Sequence, residues 1–111
     1  MTHFTVVVTG ASRGLGAAIA RLLPRLGASV VLNARSEAAL AVIAREIRSD
    51  GGRAEVVAGD LRQPELCEQL VRTALDRFDR LDAVINNAAT LEPVAPVAEA
   101  ENVAVVSGRV G

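Results

Sequence analysis

The stretch Thr9-Gly10-Ala11-Ser12-Arg13-Gly14-Leu15-Gly16 is the part of this chain whose residue types and spacing suit a chemical task. Glycine lets a backbone turn tightly and lets a ligand approach without meeting a Cβ. If a helix starts at this turn, its first amides have no internal partners, and the helix dipole adds partial positive charge. A phosphate or pyrophosphate satisfies both. The pattern lacks the Lys-Ser/Thr ending of a P-loop, which argues against phosphoryl transfer. Small residues at these spacings also make ordinary strand-to-helix turns, so the context must decide.

The context is favourable. An apolar run, Phe4-Thr5-Val6-Val7-Val8, precedes the turn, and apolar residues at helical spacing follow it. The spacing predicts strand one over 3–8 and a helix over about 15–26 that buries Ile19, Ala20, Leu22, Leu23 and Leu26. Pro24 should disturb its last turn, and Gly27 is a plausible C-cap. Strand two falls over 29–33, where Val30, Val31 and Leu32 form an unbroken apolar core, as in a parallel sheet covered on both faces. Ser36 is a good N-cap for a second helix running to about residue 49, with Leu40, Ile43, Ala44 and Ile47 facing the sheet.

Strand three follows over 53–58. Pro64 suits the first position of a third helix. Its apolar stripe is Leu66, Leu70, Val71, Ala74, Leu75 and Phe78, with Cys67 beside it as a small packing residue. Strand four covers 81–86. This alternation predicts an α/β fold with right-handed βαβ units. After Asn87 the regularity fades: Pro93 and Pro96 break any helix, and Ala104, Val105 and Val106 have the composition of one more short strand.

The chain has 111 residues, half of them apolar, with a formal net charge of −1 and a single cysteine, Cys67. Nothing resembles a nucleic-acid footprint or a membrane span, the N-terminal run is not a secretory signal, and an internal disulfide is excluded. A cytoplasmic location is expected. All twelve basic residues are arginine, and there is no tyrosine. Mechanisms that need a phenol or an amine side chain are therefore unavailable to these residues.

Three pieces together carry a family resemblance: the glycine stretch 9–16, Asp60-Leu61 after strand three, and Asn86-Asn87-Ala88-Ala89 after strand four. Their order and their places at strand C-ends make the chain similar to the N-terminal, cofactor-binding half of a short-chain dehydrogenase/reductase. The resemblance implies a Rossmann-like, doubly wound parallel sheet, truncated to about four strands in the order 3-2-1-4 with three main helices. It implies a dinucleotide-binding half-domain over 1–90 and an irregular tail over 91–111.

It also implies roles. Gly10, Gly14 and Gly16 would form the pyrophosphate turn, with contacts from Ser12, Arg13 and Leu15. Asp60 would hydrogen-bond the adenine, with Leu61 packing against it. Asn87, Ala88 and Ala89 would line the adenosine and ribose region, with Asn86 bracing the strand. Ala89 stands where the family pattern ends in glycine, a departure of one methyl.

The choice of dinucleotide follows from charge. An NAD-binding chain usually places a carboxylate at the end of strand two, to accept from the ribose 2′-hydroxyl. Here that region reads Asn33-Ala34-Arg35. Arg35 and Arg13 could clamp a 2′-phosphate, which favours NADP over NAD. The competing reading takes both as solvated surface residues.

The family's catalytic serine, tyrosine and lysine lie in the second half of its domain. A hydroxyl donor with a nearby cation suits carbonyl reduction, because the alkoxide formed must be protonated. A Tyr–Lys pair cannot be assembled here, so no catalytic residue is assigned. Ser107 falls beside the family's serine position if the tail is a fifth strand; an unrelated tail fits as well. Three readings stay open: the NADP-binding part of a carbonyl/alcohol oxidoreductase, a non-catalytic module that binds a dinucleotide or a protein partner, or a truncated product without its own function. A small-molecule substrate would require another chain to complete the site, and an uncovered sheet edge could promote self-association.

Overall fold

The central strands of this chain carry apolar residues on both sides, so they must be covered twice, and the sheet is sandwiched between helices. In the computed structural model, residues 3–87 and 104–107 are described. The elements are β1 (Phe4–Thr9), α1 (Gly14–Leu22) continuing into a 3-10 turn (Leu23–Leu26), β2 (Ala28–Ala34), α2 (Glu37–Ser49), β3 (Arg53–Ala58), α3 (Pro64–Phe78), β4 (Ala83–Asn86) and β5 (Ala104–Ser107). The sheet order is β3-β2-β1-β4-β5, with every described pairing parallel.

The predicted order 3-2-1-4 and three helices are present, and β5 extends the sheet beyond β4. Its pairing runs Ala83↔Ala104 through Asn86↔Ser107. Strand four is therefore near the edge rather than at it.

Alternate residues of each strand feed two cores. Val6, Val8, Val30, Leu32 and Ala54 pack against α1 and α2 on one face. Val7, Val31, Val57 and Val84 pack against Leu66, Cys67, Leu70 and Ala74 of α3 on the other. Burial pushes the Cys67 thiol up, as expected of a packing residue rather than a nucleophile. In α2 the predicted face, Leu40, Ile43, Ala44 and Ile47, is the buried one, and Ser36 Oγ accepts from the Ala39 amide at 3.2 Å.

Three leucines correct the sequence-based expectation. Leu22 is 53% exposed, Leu26 58% and Leu75 47%. In α1 the buried residues are Gly16, Ala17 and Ala20, small side chains that let the helix sit close to the sheet. Leu22 lies about 200° around the helix from Ala20, on the outer side. Leu26 falls in the tighter 3-10 turn that starts at Leu23 with Pro24 in its first positions. Gly27 then ends it in the left-handed conformation at φ 96°.

At the N-terminal edge of the sheet, Asp82 closes the β1–β4 pairing. Its Oδ2 accepts from the Thr5 amide at 2.8 Å, and its own amide donates to the Thr5 carbonyl at 3.0 Å. Arg80 forks onto the same carboxylate at 2.8 and 2.6 Å. Hydrogen bonding from Arg80, and secondarily from the Thr5 amide, holds the Asp82 carboxyl below the usual carboxylate range. A folded-state pKa lowered in this way gives stability that is complete above the unfolded value, about 3.9, and is lost as pH falls through the folded value. Asp82→Asn should therefore lower stability by about 1 kcal/mol at pH 7, with the gap to wild type narrowing by pH 3. Urea unfolding at both pH values measures this; an equal gap at the two would show that the charge of Asp82 contributes nothing.

Candidate functional site

Because the sheet is parallel and in register, the loops after β1, β2, β3 and β4 all leave from one edge. Thr9 pairs with Asn33 on one side and Asn86 on the other, and Ala34 pairs with Ala58. The glycine turn, Arg35, Asp60-Leu61 and Asn87 are thus brought to the same edge. Ala88 and Ala89 lie outside the described residues.

Buried polar side chains fix that arrangement. Thr9 Oγ1 donates to Asn86 Oδ1 at 3.1 Å and accepts from the Asn87 amide at 3.0 Å. Asn33, 1% exposed, donates from Nδ2 to the Val57 carbonyl at 2.9 Å, while its backbone carbonyl accepts from the Ala11 amide. Asn33 therefore ties the glycine turn to the end of β3. Neither Thr9 nor Asn33 was assigned a site role from sequence. The available signal was a polar residue ending an otherwise apolar strand, where burial demands a partner.

The glycine turn has two different requirements. Gly10 and Gly14 take φ of 62° and 60°, the left-handed region that favours glycine. At Gly14 a Cβ would meet nothing within 4 Å, so the turn is open on that side. At Gly16 a Cβ would overlap the Gly10 carbonyl oxygen and come within 2.7 Å of Asn87 Nδ2. Gly16 serves helix–strand packing, and Gly14 lies on the accessible side. Ser12 is half-buried, and Arg13, Gly14 and Leu15 are exposed.

Helix α1 starts without help from side chains. Arg13 is its N-cap residue, no side chain caps it, and no acid lies in its first turn. By contrast α2 has its Ser36 cap and Glu37, and α3 has Glu65. The first turn of α1 keeps its amides and positive dipole for something other than the chain's own carboxylates.

The loop after β3 carries a contact not anticipated from sequence. Asp60 Oδ1 accepts from the Arg62 amide at 2.9 Å, and the Arg62 guanidinium grips the carboxylate, with Nη2 to Oδ2 at 2.7 Å and Nε to both oxygens at 3.1 Å. Arg35 Nη2 stands 3.8 Å from Asp60 Oδ2. Hydrogen bonds from Arg62, side chain first and backbone second, hold the Asp60 carboxyl well below the usual carboxylate range. The cleft lined by Arg21, Pro24, Glu46, Asp50 and Gly52 lies at the opposite edge of the sheet and includes no predicted site residue.

A Gly-rich turn opening an uncapped helix, with an acidic loop after β3 and an asparagine pair after β4, all at one edge of a parallel sheet, defines a nucleotide-binding class of α/β protein. The family model for short chain dehydrogenases matches residues 4–107, and the chain belongs to that family. It is 40% identical over 89 residues to a 3-oxoacyl-[acyl-carrier-protein] reductase of Synechocystis sp., covering 79% of this chain and 36% of that protein. Among solved structures, a metagenomic short-chain oxidoreductase in complex with NADP matches at 46% identity and TM-score 0.72, over 78% of this chain and 39% of that one. A 7α-hydroxysteroid dehydrogenase complexed with NADH and 7-oxo glycochenodeoxycholic acid matches at 29% identity and TM-score 0.75, over 81% of this chain and 35% of that one. The chain spans about a third of the length of the curated relatives it matches.

The two glycines should respond differently to a methyl group. Gly14→Ala should cost about 1–2 kcal/mol from backbone strain alone and leave the fold intact. Gly16→Ala should cost more, because the helix must move away from the Gly10 carbonyl. Thermal unfolding of the two variants tests this ranking; an equal loss would contradict the division of roles.

Proposed function

We propose that this chain carries the NADP(H)-binding part of a short-chain dehydrogenase/reductase acting on a carbonyl or alcohol, with residues 1–90 as the binding part and 91–111 as its tail. The observation that carries the reading is the gathering of Gly14, the uncapped start of α1, Arg35 and Asp60 along one sheet edge. Gly10, Gly14 and Gly16, with Ser12, Arg13 and Leu15, hold the pyrophosphate on the first amides of α1. Asp60 and Leu61 take the adenine, whose amino group joins Arg62 at the carboxylate. Asn87, with Ala88 and Ala89, lines the adenosine side.

The residues present fit such a group. The open side of Gly14 admits a phosphate, and the dipole of α1 is not countered by an acid in its first turn. The fold itself accommodates either dinucleotide, since the matched structures include one with NADP and one with NADH. The preference for NADP rests on Arg35, which directly follows β2 where an NAD-binding chain presents a carboxylate. Arg13 at the start of α1 adds a second cation.

When bound, the nicotinamide supplies or accepts the hydride. This chain's residues bind and orient the adenosine and pyrophosphate. Protonating the alkoxide needs a donor held by a cation, and the sequence holds neither tyrosine nor lysine. The chain alone therefore binds cofactor without turnover. That same composition favours the second reading, a module that binds a dinucleotide or a protein partner without catalysis.

Titration of the chain with NADPH and NADH, followed by cofactor fluorescence, tests the assignment. Saturable binding is expected, at least about tenfold tighter for NADPH and reduced to near parity by Arg35→Ala. Tighter binding of NADH would overturn the roles of Arg13 and Arg35, and absence of binding would overturn the dinucleotide site. Turnover of a carbonyl panel by the chain alone would overturn the non-catalytic reading.

A further inference from the structure

Asp60 faces two arginines with one charge. Arg62 takes it with a two-pronged guanidinium contact and a backbone hydrogen bond, whereas Arg35 reaches it only at 3.8 Å. Arg35 is 77% exposed and Asp60 27%. A carboxylate has room for about four donors, and Arg62 already supplies three groups, its amide, Nε and Nη2. We propose, resting on the NADP reading above, that Arg62 is a positioning residue for cofactor choice: by occupying Asp60 it leaves the Arg35 guanidinium free for the ribose 2′-phosphate.

The reasoning is competitive. Arginine binds carboxylate and phosphate through the same planar fork, so an unoccupied Asp60 would be a rival ligand for Arg35. An unneutralised carboxylate at that distance would also repel a 2′-phosphate held by Arg35. The 2′-hydroxyl of NADH experiences neither effect. The influence of Arg62 is therefore selective for the phosphorylated cofactor, although Arg62 need not touch it. Its short hydrogen bonds fix the Asp60 carboxylate in place.

The full chain and its variants, titrated with NADPH and NADH, test the role. Arg62→Ala should lower the NADPH-to-NADH affinity ratio about three- to fivefold, the scale of one exposed ion pair, with NADH affinity little changed. Adding Asp60→Asn to Arg62→Ala removes the rival carboxylate and should restore the ratio. Arg62→Lys should fall between, since it keeps the charge and loses the fork. In the cofactor-free protein, the Arg35 Nε–H resonance of Arg62→Ala should move towards that of a paired guanidinium.

A merely structural role in the β3–α3 loop would weaken both cofactors equally and resist rescue by Asp60→Asn; that result overturns the proposal. So does an unmoved Arg35 resonance. If Arg35→Ala abolishes NADPH preference while Arg62→Ala leaves it intact, the role of Arg62 alone is wrong. If wild type shows no NADPH preference, the NADP reading falls and takes this role with it.

Discussion

The structure depends on a clasp of buried polar side chains across the C-terminal edge of the sheet. Thr9, Asn33 and Asn86 are each at most 5% exposed, and each sits at or next to the last residue of an apolar strand. A buried amide or hydroxyl without a partner costs about 1–3 kcal/mol, so each of these groups must find a partner on a neighbouring strand. They can do so only when β1, β2, β3 and β4 end at matching heights. Thr9 reaches the β4 end and Asn33 the β3 end, while the backbone carbonyl of Asn33 takes the Ala11 amide. A hydrophobic sheet would tolerate slippage by two residues, which keeps each side chain on its own face. The clasp does not, because a slipped strand would strand its polar terminus. Four loops consequently emerge at one level.

Charge is distributed differently at the two edges. At the N-terminal edge arginines are matched with acids that hold secondary structure together, as Arg80 with Asp82 and Arg21 with Glu46. At the C-terminal edge the start of α1 has no acid, Arg13 has no ion pair among the described residues, and Asp60 stands between Arg62 and Arg35. Exposed pairs contribute little stability, so these charges do little for the fold. At the start of α1 alone, the uncapped amides and Arg13 together favour an anion.

Much of the architecture was legible because local signals agreed with one another. In α2 the cap Ser36, the Leu40–Ile43–Ala44–Ile47 spacing and the Asp50-Gly51-Gly52 ending point to one helix, and the structure has it. In α1 the count of apolar residues misled. Gly16, Ala17 and Ala20 form the buried side because the helix must come close to the Gly10 carbonyl, and the larger Leu22 and Leu26 were left outside. Periodicity shows which residues share a face, and which face turns inward depends on how closely the neighbour approaches. For the site, Gly14, Arg35 and Asp60 were legible as single residues at strand ends. The Arg62–Asp60–Arg35 cluster was not, since the proximity of Arg35 to Asp60 exists only once β2 and β3 are paired in register.

The topology fixes which loops stand side by side. In a parallel sheet each strand delivers one loop to the edge, and the order β3-β2-β1-β4 puts the acidic loop, the arginine, the glycine turn and the asparagine pair side by side. Asn87, just past the end of β4, belongs to that row. The next strand, β5, pairs Ser107 with Asn86, so its end reaches the same level one position further along. The sequence holds neither tyrosine nor lysine, so no phenol–amine pair can be assembled from these residues. The end of β5 thus stands apart from the glycine turn, with β4 between it and β1.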